Sequence, residues 1–357
     1  MRRTLLAAVA LSLPLAIAGQ SRGAGPALTR PDGWPPQRLR DTGLYDDWDA
    51  KAVGAGKIPF SPQYPLWTDG ARKRRWIQLP QGTWIDASNP DAWTFPVGTR
   101  FWKEFAFDGR AETRLIELTR SGWRYATYVW NAEQTEAVLA PERGISRSVV
   151  IRGNVRHAIP SQSDCRSCHE AGPSRILGFS ALQLSDDRDP HAPHAEPVPD
   201  GGVTLGALVA RRLVRDMPHT PAGTAPRIAA RTPTERAALG YFYGNCSYCH
   251  TSSGELASLK LSFDYPLARI EREPPALRTT VEQPSRFQPA SWRNGERVCV
   301  ANPDQSVVVA RMSSRNPVLQ MPPVGTRLVD DAAVALIRKW ISRDTMAPAH
   351  TPWEGKR

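Results

Sequence analysis

The spacing of hydrophobic and polar positions changes along the chain, from short alternating runs in the first half to helical periodicity in the second. Between residues 56 and 160, the runs 101–107, 113–119 and 123–130 are rich in aromatic and β-branched residues and are separated by Gly, Asp, Asn and Pro. Such runs favour strands, and several of them at this spacing predict a β-sandwich-like or barrel-like module. Seven of the twelve tryptophans lie in this module, where we expect them to pack in the core.

Three helices are predicted after residue 200 from their N-terminal signals and apolar periodicity. Thr204 is the expected N-cap of the first helix, which we expect Pro218 to end. Thr232 is the expected N-cap of the second, with proline at the first helical position, and Asp330 starts the closing helix. Gly240 lies in the second helix, where the missing side chain would permit the close approach of another helix.

The first 18 residues have the features of a secretory signal peptide. Arg2 and Arg3 precede an apolar run at 5–17, and Ala16-Ile17-Ala18 forms a small-x-small cleavage site. A membrane anchor is the alternative, but the run is shorter than the roughly 20 residues that a bilayer span needs. We therefore expect cleavage near Ala18 and an exported, periplasmic protein without a membrane span.

Composition adds two constraints to this interpretation. Of the 357 residues, 41% are hydrophobic and 23% are charged, which supports a packed core and excludes a wholly disordered chain. The formal net charge is +11. Because an exported protein rarely meets nucleic acid, we expect the positive charge to attract acidic protein partners and no nucleic acid.

Four of the five cysteines form two copies of one motif, Cys165-Arg-Ser-Cys168-His169 and Cys246-Ser-Tyr-Cys249-His250. This Cys-x-x-Cys-His motif attaches c-type haem: the two thiols add to the haem vinyl groups, and the adjacent histidine becomes an iron ligand. A four-thiolate zinc site and disulfides or redox dithiols are alternatives, but neither requires a histidine after both cysteine pairs. The sequence therefore predicts two haem c groups with bound iron.

Each haem iron also has a sixth position. Met321, on a Met-Pro-Pro loop before the closing helix, is the expected ligand opposite His250, and Met312 is its competitor. Cys299, the fifth cysteine, is expected to be a free buried thiol. For the first haem the sequence leaves two possibilities, an open position or a ligand from among Met217, His157, His191, His194 and His219.

The order of these features resembles a family of exported bacterial dihaem c-type cytochromes named after a Shewanella member. The C-terminal part is also similar to a class I cytochrome c, although the separation of His250 and Met321 is long for that class. The resemblance implies electron transfer and supplies no substrate. It covers about residues 40–345 and rests on Tyr125-Ala-Thr-Tyr-Val-Trp-Asn131, Pro160-Ser-Gln-Ser-Asp-Cys165, Tyr243-Gly-Asn-Cys246, Met321-Pro-Pro and Ala335-Leu-Ile-Arg-Lys-Trp-Ile341.

These observations predict an α+β multidomain protein in which a Trp-rich β-sandwich-like module precedes mostly α-helical cytochrome c haem domains. The expected segments are 1–18 (signal peptide), 19–55 (irregular lead-in), 56–160 (β module), 161–231 (first haem-binding segment), 232–345 (class I-like cytochrome c domain) and 346–357 (tail). We expect a periplasmic electron carrier, with an exported dehydrogenase as donor and a cytochrome or oxidase as acceptor. The alternative is a dihaem peroxidase-like or oxidase-like enzyme whose first haem has an open or displaceable site.

Overall fold

The computed structural model describes residues 35–218, 224–269, 273–288 and 295–345. The signal peptide, residues 19–34 of the lead-in, His219 and the tail lie outside the described residues. The strands are β1 (Tyr45–Asp47), β2 (Ala52–Val53), β3 (Ile58–Pro59), β4 (Arg72–Gln78), β5 (Ile85–Asp86), β6 (Arg100–Ala106), β7 (Arg110–Thr119), β8 (Gly122–Trp130), β9 (Ala137–Leu139), β10 (Val150–Arg152), β11 (Val155–Arg156) and β12 (Val214–Arg215). The helices are α1 (Gln162–His169), α2 (Leu205–Ala210), α3 (Pro233–Asn245), α4 (Pro275–Thr280), α5 (Val307–Met312) and α6 (Asp331–Asp344).

The largest element is an antiparallel sheet of six strands in the order β3-β4-β6-β7-β8-β9. Strands β6, β7 and β8 cover the runs expected at 101–107, 113–119 and 123–130, so these predicted strands are confirmed. Phe101 lies opposite Ile116, and Ile116 lies opposite Tyr125. Aromatic and β-branched side chains in such cross-strand rows stabilise a sheet, which explains why this pattern folds as three long neighbouring strands.

The sheet packs against the chain that runs from residue 176 into α2. Phe179 contacts Phe60 and Phe101 with ring centroids 4.7 and 5.3 Å apart, and Leu205 and Leu208 of α2 are buried in the same cluster. The second core lies between α3 and α6. The first core holds the sheet, and the second holds α3, the helix that leads into the second cysteine motif.

Most tryptophans of the predicted β module lie in the core, as expected. Trp76, Trp93, Trp102 and Trp130 are buried, whereas Trp84 is 41% exposed. Trp102 is 1% exposed and donates a hydrogen bond from its ring nitrogen to the Thr42 hydroxyl. A buried indole with a satisfied N–H is typical of core packing.

The N-terminal signals of the second and third predicted helices are confirmed. Thr232 caps α3 by accepting a hydrogen bond from the backbone N–H of Glu235 (3.0 Å), and Asp330 caps α6 in the same way. The two helices pack against each other, with the rings of Phe242 and Trp340 6.0 Å apart in an edge-to-face contact.

The first predicted helix is shorter than expected. Thr204 caps α2, but the helix ends at Ala210 and not at Pro218. Arg212 has a left-handed backbone conformation (φ 54°) that turns the chain into β12, which pairs with β5. A strand, β12, therefore stands where the last part of the predicted helix was expected. It pairs with β5 of the first half, and no local pattern encodes this long-range contact.

The predicted fold class is wrong in both of its parts. The first half forms one large six-stranded sheet with small two-stranded ladders, and not a sandwich-like module. The second half is not mostly α-helical: the described chain holds six short helices and is 21% helical. Between α3 and α6 the chain is broken by prolines, which lack the N–H that a helix interior requires: Pro266, Pro274, Pro275, Pro284 and Pro303. Within the described ranges, no helix is long and apolar enough to cross a membrane.

Candidate functional site

The first Cys-x-x-Cys-His motif forms the last part of α1, a short helix beside the sheet. Ser161 caps this helix: its hydroxyl accepts from the backbone N–H of Asp164 (3.1 Å), and the Asp164 carboxylate accepts from the backbone N–H of Ser161 (2.9 Å). Residues three and four positions apart share one side of a helix. Accordingly, Cys165, Cys168 and His169 all line one cavity of about 410 Å³, which we call the first cavity.

His169 is held in an orientation that leaves one ring nitrogen with a free lone pair. Its Nδ1 lies 2.7 Å from the carbonyl oxygen of Arg175, and because a carbonyl can only accept, Nδ1 carries the proton. Nε2 is then unprotonated, which is the form that binds a metal. Burial lowers the pKa of His169 to about 4, so the ring is neutral. The ring also packs 5.3 Å from that of Tyr125 on β8.

The second motif lies where α3 ends. Cys246 is the C-cap residue, and its carbonyl accepts hydrogen bonds from the backbone N–H groups of both Cys249 and His250 (3.2 and 3.0 Å). This turn directs the motif towards a second cavity of about 300 Å³, which Cys246, Cys249 and His250 line together with Met321. The structure thus places the expected ligand Met321 in the same cavity as the motif it was assigned to. Met312 lines this cavity too.

The loop that carries Met321 is fixed through its backbone. The Met321 N–H donates to the carbonyl of Arg311 (3.1 Å), and Arg315 donates to the Met321 carbonyl (3.4 Å). His250 is less well anchored than its counterpart in the first cavity, because its Nδ1 is buried without a hydrogen-bond partner among the described residues. Burial lowers the pKa of His250, and the charges of Arg311 and Arg297 lower it further.

Helix α3 reaches this position by packing tightly on the segment before β4. A Cβ atom on Gly240 would lie 2.0 Å from Cε1 of Tyr64, and one on Gly244 would lie 2.3 Å from the Tyr64 carbonyl oxygen. The Trp67 N–H donates to the side-chain oxygen of Asn245 (2.8 Å). The close approach expected at Gly240 therefore exists, but the neighbour is an aromatic ring from the first half and not another helix.

The two motifs meet at one point in the fold. The thiols of Cys168 and Cys249 are neighbours, and their interaction raises the pKa of the Cys168 thiol. Residues Trp67, Asn245, Cys249, Pro322 and Pro323 line both cavities, which are therefore adjacent.

Two histidines that were candidates for the sixth position at the first motif are bound elsewhere. The Nε2 atom of His157 lies 2.9 Å from Glu112, and His157 is 1% exposed. The Nε2 atom of His194 lies 2.8 Å from Asp330, the N-cap of α6. Neither histidine lines the first or the second cavity.

The remaining candidates also lie away from the first motif. Met217 packs against the sheet core, His191 is exposed, and neither lines a cavity. His219 lies outside the described residues. Among the described residues, the first cavity is lined by one histidine, His169, and by no methionine. Cys299 is a free thiol as expected, although it is half-buried and not fully buried.

Sequence reasoning missed the basic residues of the first cavity. Arg75, Lys103 and Arg114 line it, together with Tyr125. Arg75 belongs to a basic run at 72–75, yet it is only 4% exposed. Successive side chains of a strand point to opposite faces of the sheet, so Arg75 lies on the face opposite to the exposed Arg72 and Arg74. This alternation was the signal that could have identified Arg75.

The residues present fit covalently attached haem. Both cavities fall within the roughly 300–1,000 Å³ typical of ligand sites. Each is lined by the two thiols and the histidine of one motif, with Cys249 lining both, and all five cysteines are free, so the thiols are available for thioether bonds. Within the described ranges, no three His, Cys, Asp or Glu side chains are gathered as a directly bound metal ion would need.

Comparison with protein-family models, characterised proteins and solved structures finds no match to this chain. The functional argument therefore rests on the residues and their geometry.

Proposed function

We propose that this protein is a periplasmic dihaem c-type cytochrome that carries electrons between redox partners. One observation carries the proposal: the two Cys-x-x-Cys-His motifs line adjacent cavities and meet where Cys168 contacts Cys249. The attachment points of the two groups are therefore neighbours. A carrier that accepts an electron at one group and passes it to the other needs such proximity.

The chain offers a complete set of attachment residues for each group. Cys165 and Cys168 would form the thioether bonds of the first haem, and Cys246 and Cys249 those of the second. His169 would bind the first iron, and His250 and Met321 would bind the second. A haem held in this way supplies reversible one-electron oxidation and reduction of its iron, and methionine ligation favours the reduced form.

The remaining residues would position the ligands and exclude water. The hydrogen bond from His169 to Arg175 fixes the ring orientation and keeps the lone pair of Nε2 available. Phe263 packs edge-on against His250, with ring centroids 5.8 Å apart. The Met321 N–H donates to the Arg311 carbonyl of α5, and the Arg315 guanidinium donates to the Met321 carbonyl, so these two bonds hold the Met-Pro-Pro loop. Rigid support of this kind limits the rearrangement that accompanies a change of charge.

The compartment and partners belong to the same proposal. The signal-peptide features of residues 1–18 support export, and covalent c-type haem fits that compartment. An exported dehydrogenase is the proposed donor and a cytochrome or oxidase the proposed acceptor. The formal charge is +11 for the full chain and falls to +9 when Arg2 and Arg3 are removed with the signal peptide, which favours partners with an acidic docking face.

The test is haem content followed by redox titration, on protein matured in a host with c-type haem attachment machinery. We expect two haems per chain with thioether-type pyridine haemochrome spectra, and reversible reduction of both. Bound zinc without haem would reject the proposal. Two haems that cannot be reduced and reoxidised reversibly would reject electron transfer while leaving attachment intact.

A second candidate function is a haem oxidoreductase with an open position at the first haem. The observation that favours it is the placement of the candidate ligands, since His157 and His194 bind carboxylates and Met217 packs in the core. Carbon monoxide distinguishes the two functions because it binds ferrous haem at an open or displaceable position. Rapid binding of one carbon monoxide per reduced chain would favour the enzyme; no binding would favour the carrier.

A further inference from the structure

A row of basic residues crosses the sheet at the first cavity. Arg75 of β4 lies opposite Lys103 of β6, and Lys103 lies opposite Arg114 of β7. Side chains directly opposite on neighbouring strands point to the same face, and all three line the first cavity. Like charges directly opposite each other destabilise a sheet. A row of this kind therefore requires compensating negative charge.

The chain compensates the row only in part. Arg75 lies 2.9 Å from Glu196, and Arg114 lies 2.5 Å from Glu112. The ammonium group of Lys103, between the two arginines, instead lies 4.9 Å from the ring of Phe105. Burial lowers the pKa of Lys103 well below its usual value, and the neighbouring positive charges lower it further. Lys103 therefore lacks an ion-pair partner among the described residues, and an anion bound beside it would favour its charged form.

Two buried donors in the same cavity lack partners. Nη2 of Arg75 and the hydroxyl of Tyr125 are buried without a hydrogen-bond partner among the described residues. Both side chains are 4% exposed and both line the first cavity. A buried donor without an acceptor is costly, so an unpaired guanidinium nitrogen facing a cavity points to an acceptor that the chain itself does not supply.

The carboxylates that line the cavity are already engaged. Asp69 accepts hydrogen bonds from the backbone N–H groups of Arg327 and Leu328 (2.7 and 2.9 Å). Asp164 accepts from the backbone N–H of Ser161 as part of the cap of α1. Neither forms an ion pair with the row in the described part of the chain, so neither supplies the acceptor that Arg75 and Tyr125 lack.

We propose that Arg75, Lys103 and Tyr125 form a binding site for a carboxylate in the first cavity. Side chains from three strands would supply a guanidinium, an ammonium and a hydroxyl as donors, and hydrogen bonds to ionised groups are the stronger kind. Two sources share this chemistry. One is a propionate side chain of the haem at the first motif, which rests on the proposed function; the other is a small free carboxylate that enters the cavity.

The test uses the full-length, haem-loaded protein with three variants. Lys103→Met removes the charge at nearly constant length, and Lys103→Arg retains it. Arg72→Met is the matched control, because Arg72 is an exposed residue of β4 on the opposite face of the sheet. Calorimetric titration with sodium formate measures a free carboxylate site, and resonance Raman spectroscopy of the haem propionate bending band reports propionate hydrogen bonding.

Each outcome decides a specific point. Saturable formate binding that weakens about tenfold in Lys103→Met and recovers in Lys103→Arg supports the free ligand. A shifted propionate band in Lys103→Met without formate binding supports the haem side chain. If Lys103→Met gives the same formate affinity and the same propionate band as Arg72→Met, the carboxylate site is rejected. Two haems per chain would then still support the proposed function. If the haem assay finds none, the proposed function fails, and the formate titration alone decides the carboxylate site.

Discussion

The two cavities are lined by the same cysteine–histidine motif, but their basic residues stand on different elements and bind different groups. In the first cavity, Arg75 and Arg114 stand on strands and pair with the carboxylates of Glu196 and Glu112. In the second cavity, the arginines stand among loops and short helices and bind backbone carbonyls. Arg297 donates to the carbonyl of Thr279 (2.6 Å).

The difference follows from where backbone carbonyls are free. Inside a sheet most carbonyls are used by the ladder, so few are within reach of a basic side chain in the middle of a strand. Loops leave carbonyls available, and Arg311 and Arg315 use them to hold the Met321 loop. The second cavity therefore holds arginines on backbone carbonyls and supplies a methionine, whereas the first pairs arginines with carboxylates and supplies an anchored histidine. Each cavity keeps buried nitrogen atoms without a hydrogen-bond partner among the described residues: Nη2 of Arg75 in the first, and Nε of Arg315 and Nδ1 of His250 in the second.

The largest effect is expected from removing the thiols of one cavity at a time. Cys165→Ser with Cys168→Ser should reduce the haem content from two to one per chain, and Cys246→Ser with Cys249→Ser should do the same. The reason is that a hydroxyl cannot form the thioether bond. Pyridine haemochrome assay measures the result. Cys299→Ser is the control and should retain both haems; loss of haem in that variant would contradict the assignment.

Exchange of the methionines tests whether the second cavity alone supplies a sixth ligand. Met321→Leu should lower the reduction potential of one haem and create a carbon monoxide site, because leucine cannot ligate iron. Met217→Leu should change neither, since Met217 packs in the sheet core. Potentiometric titration with visible spectra gives both readouts.

Met312→Leu separates ligation from packing in the same cavity. Met312 is 7% exposed, and a methionine-to-leucine exchange in a core costs less than about 1.5 kcal/mol. A fall in potential in this variant, with none in Met321→Leu, would transfer the ligand role to Met312.

The packing that joins the second motif to the first half should be sensitive to one methyl group. Gly240→Ala would place its Cβ 2.0 Å from the Tyr64 ring, so we expect a loss of about 1–3 kcal/mol in the free energy of unfolding. Urea denaturation measures it. The double variant Gly240→Ala with Tyr64→Ala should lose less than the sum of the single changes, and simple additivity would show that the contact is absent.

The smallest effect is expected from the dependence of stability on pH, through His157 and its neighbours Asp69 and Glu112. Burial lowers the pKa of His157, and so does the charge of Arg114. Asp69 and Glu112 raise it by more, so the pKa of His157 is raised overall. Because Nδ1 lies 3.9 Å from Asp69, that contribution is electrostatic. The stabilisation is complete below the usual pKa of about 6.5 and is lost as the pH rises through the raised value.

Thermal unfolding as a function of pH tests this prediction. The wild-type protein should lose stability as the pH rises above neutrality, and His157→Gln should show a flatter profile. His191→Gln, at an exposed position, should behave like the wild type. Equal profiles for all three proteins would remove His157 from the stabilising network.

The parts of the fold that depend on local signals were predictable. Strands β6 to β8 follow from aromatic and β-branched runs, and the N-caps Thr204, Thr232 and Asp330 are at the expected residues. The end of α2 was not, because pairing of β12 with β5 is a long-range contact. The helical content of the second half was overestimated. The resemblance to a class I cytochrome c predicts mostly helices, whereas the prolines between α3 and α6 limit helix length.

The sequence by itself determined the two candidate attachment motifs, because the two cysteines and the histidine of each motif are close in the chain and one turn brings them together. It also determined Met321 as a candidate, through the rigid prolines that follow it. Only the tertiary structure decided that Cys168 meets Cys249 and that His157 binds Glu112. The row of Arg75, Lys103 and Arg114 likewise depends on the register of three strands, and register is set by the whole sheet and not by any one segment.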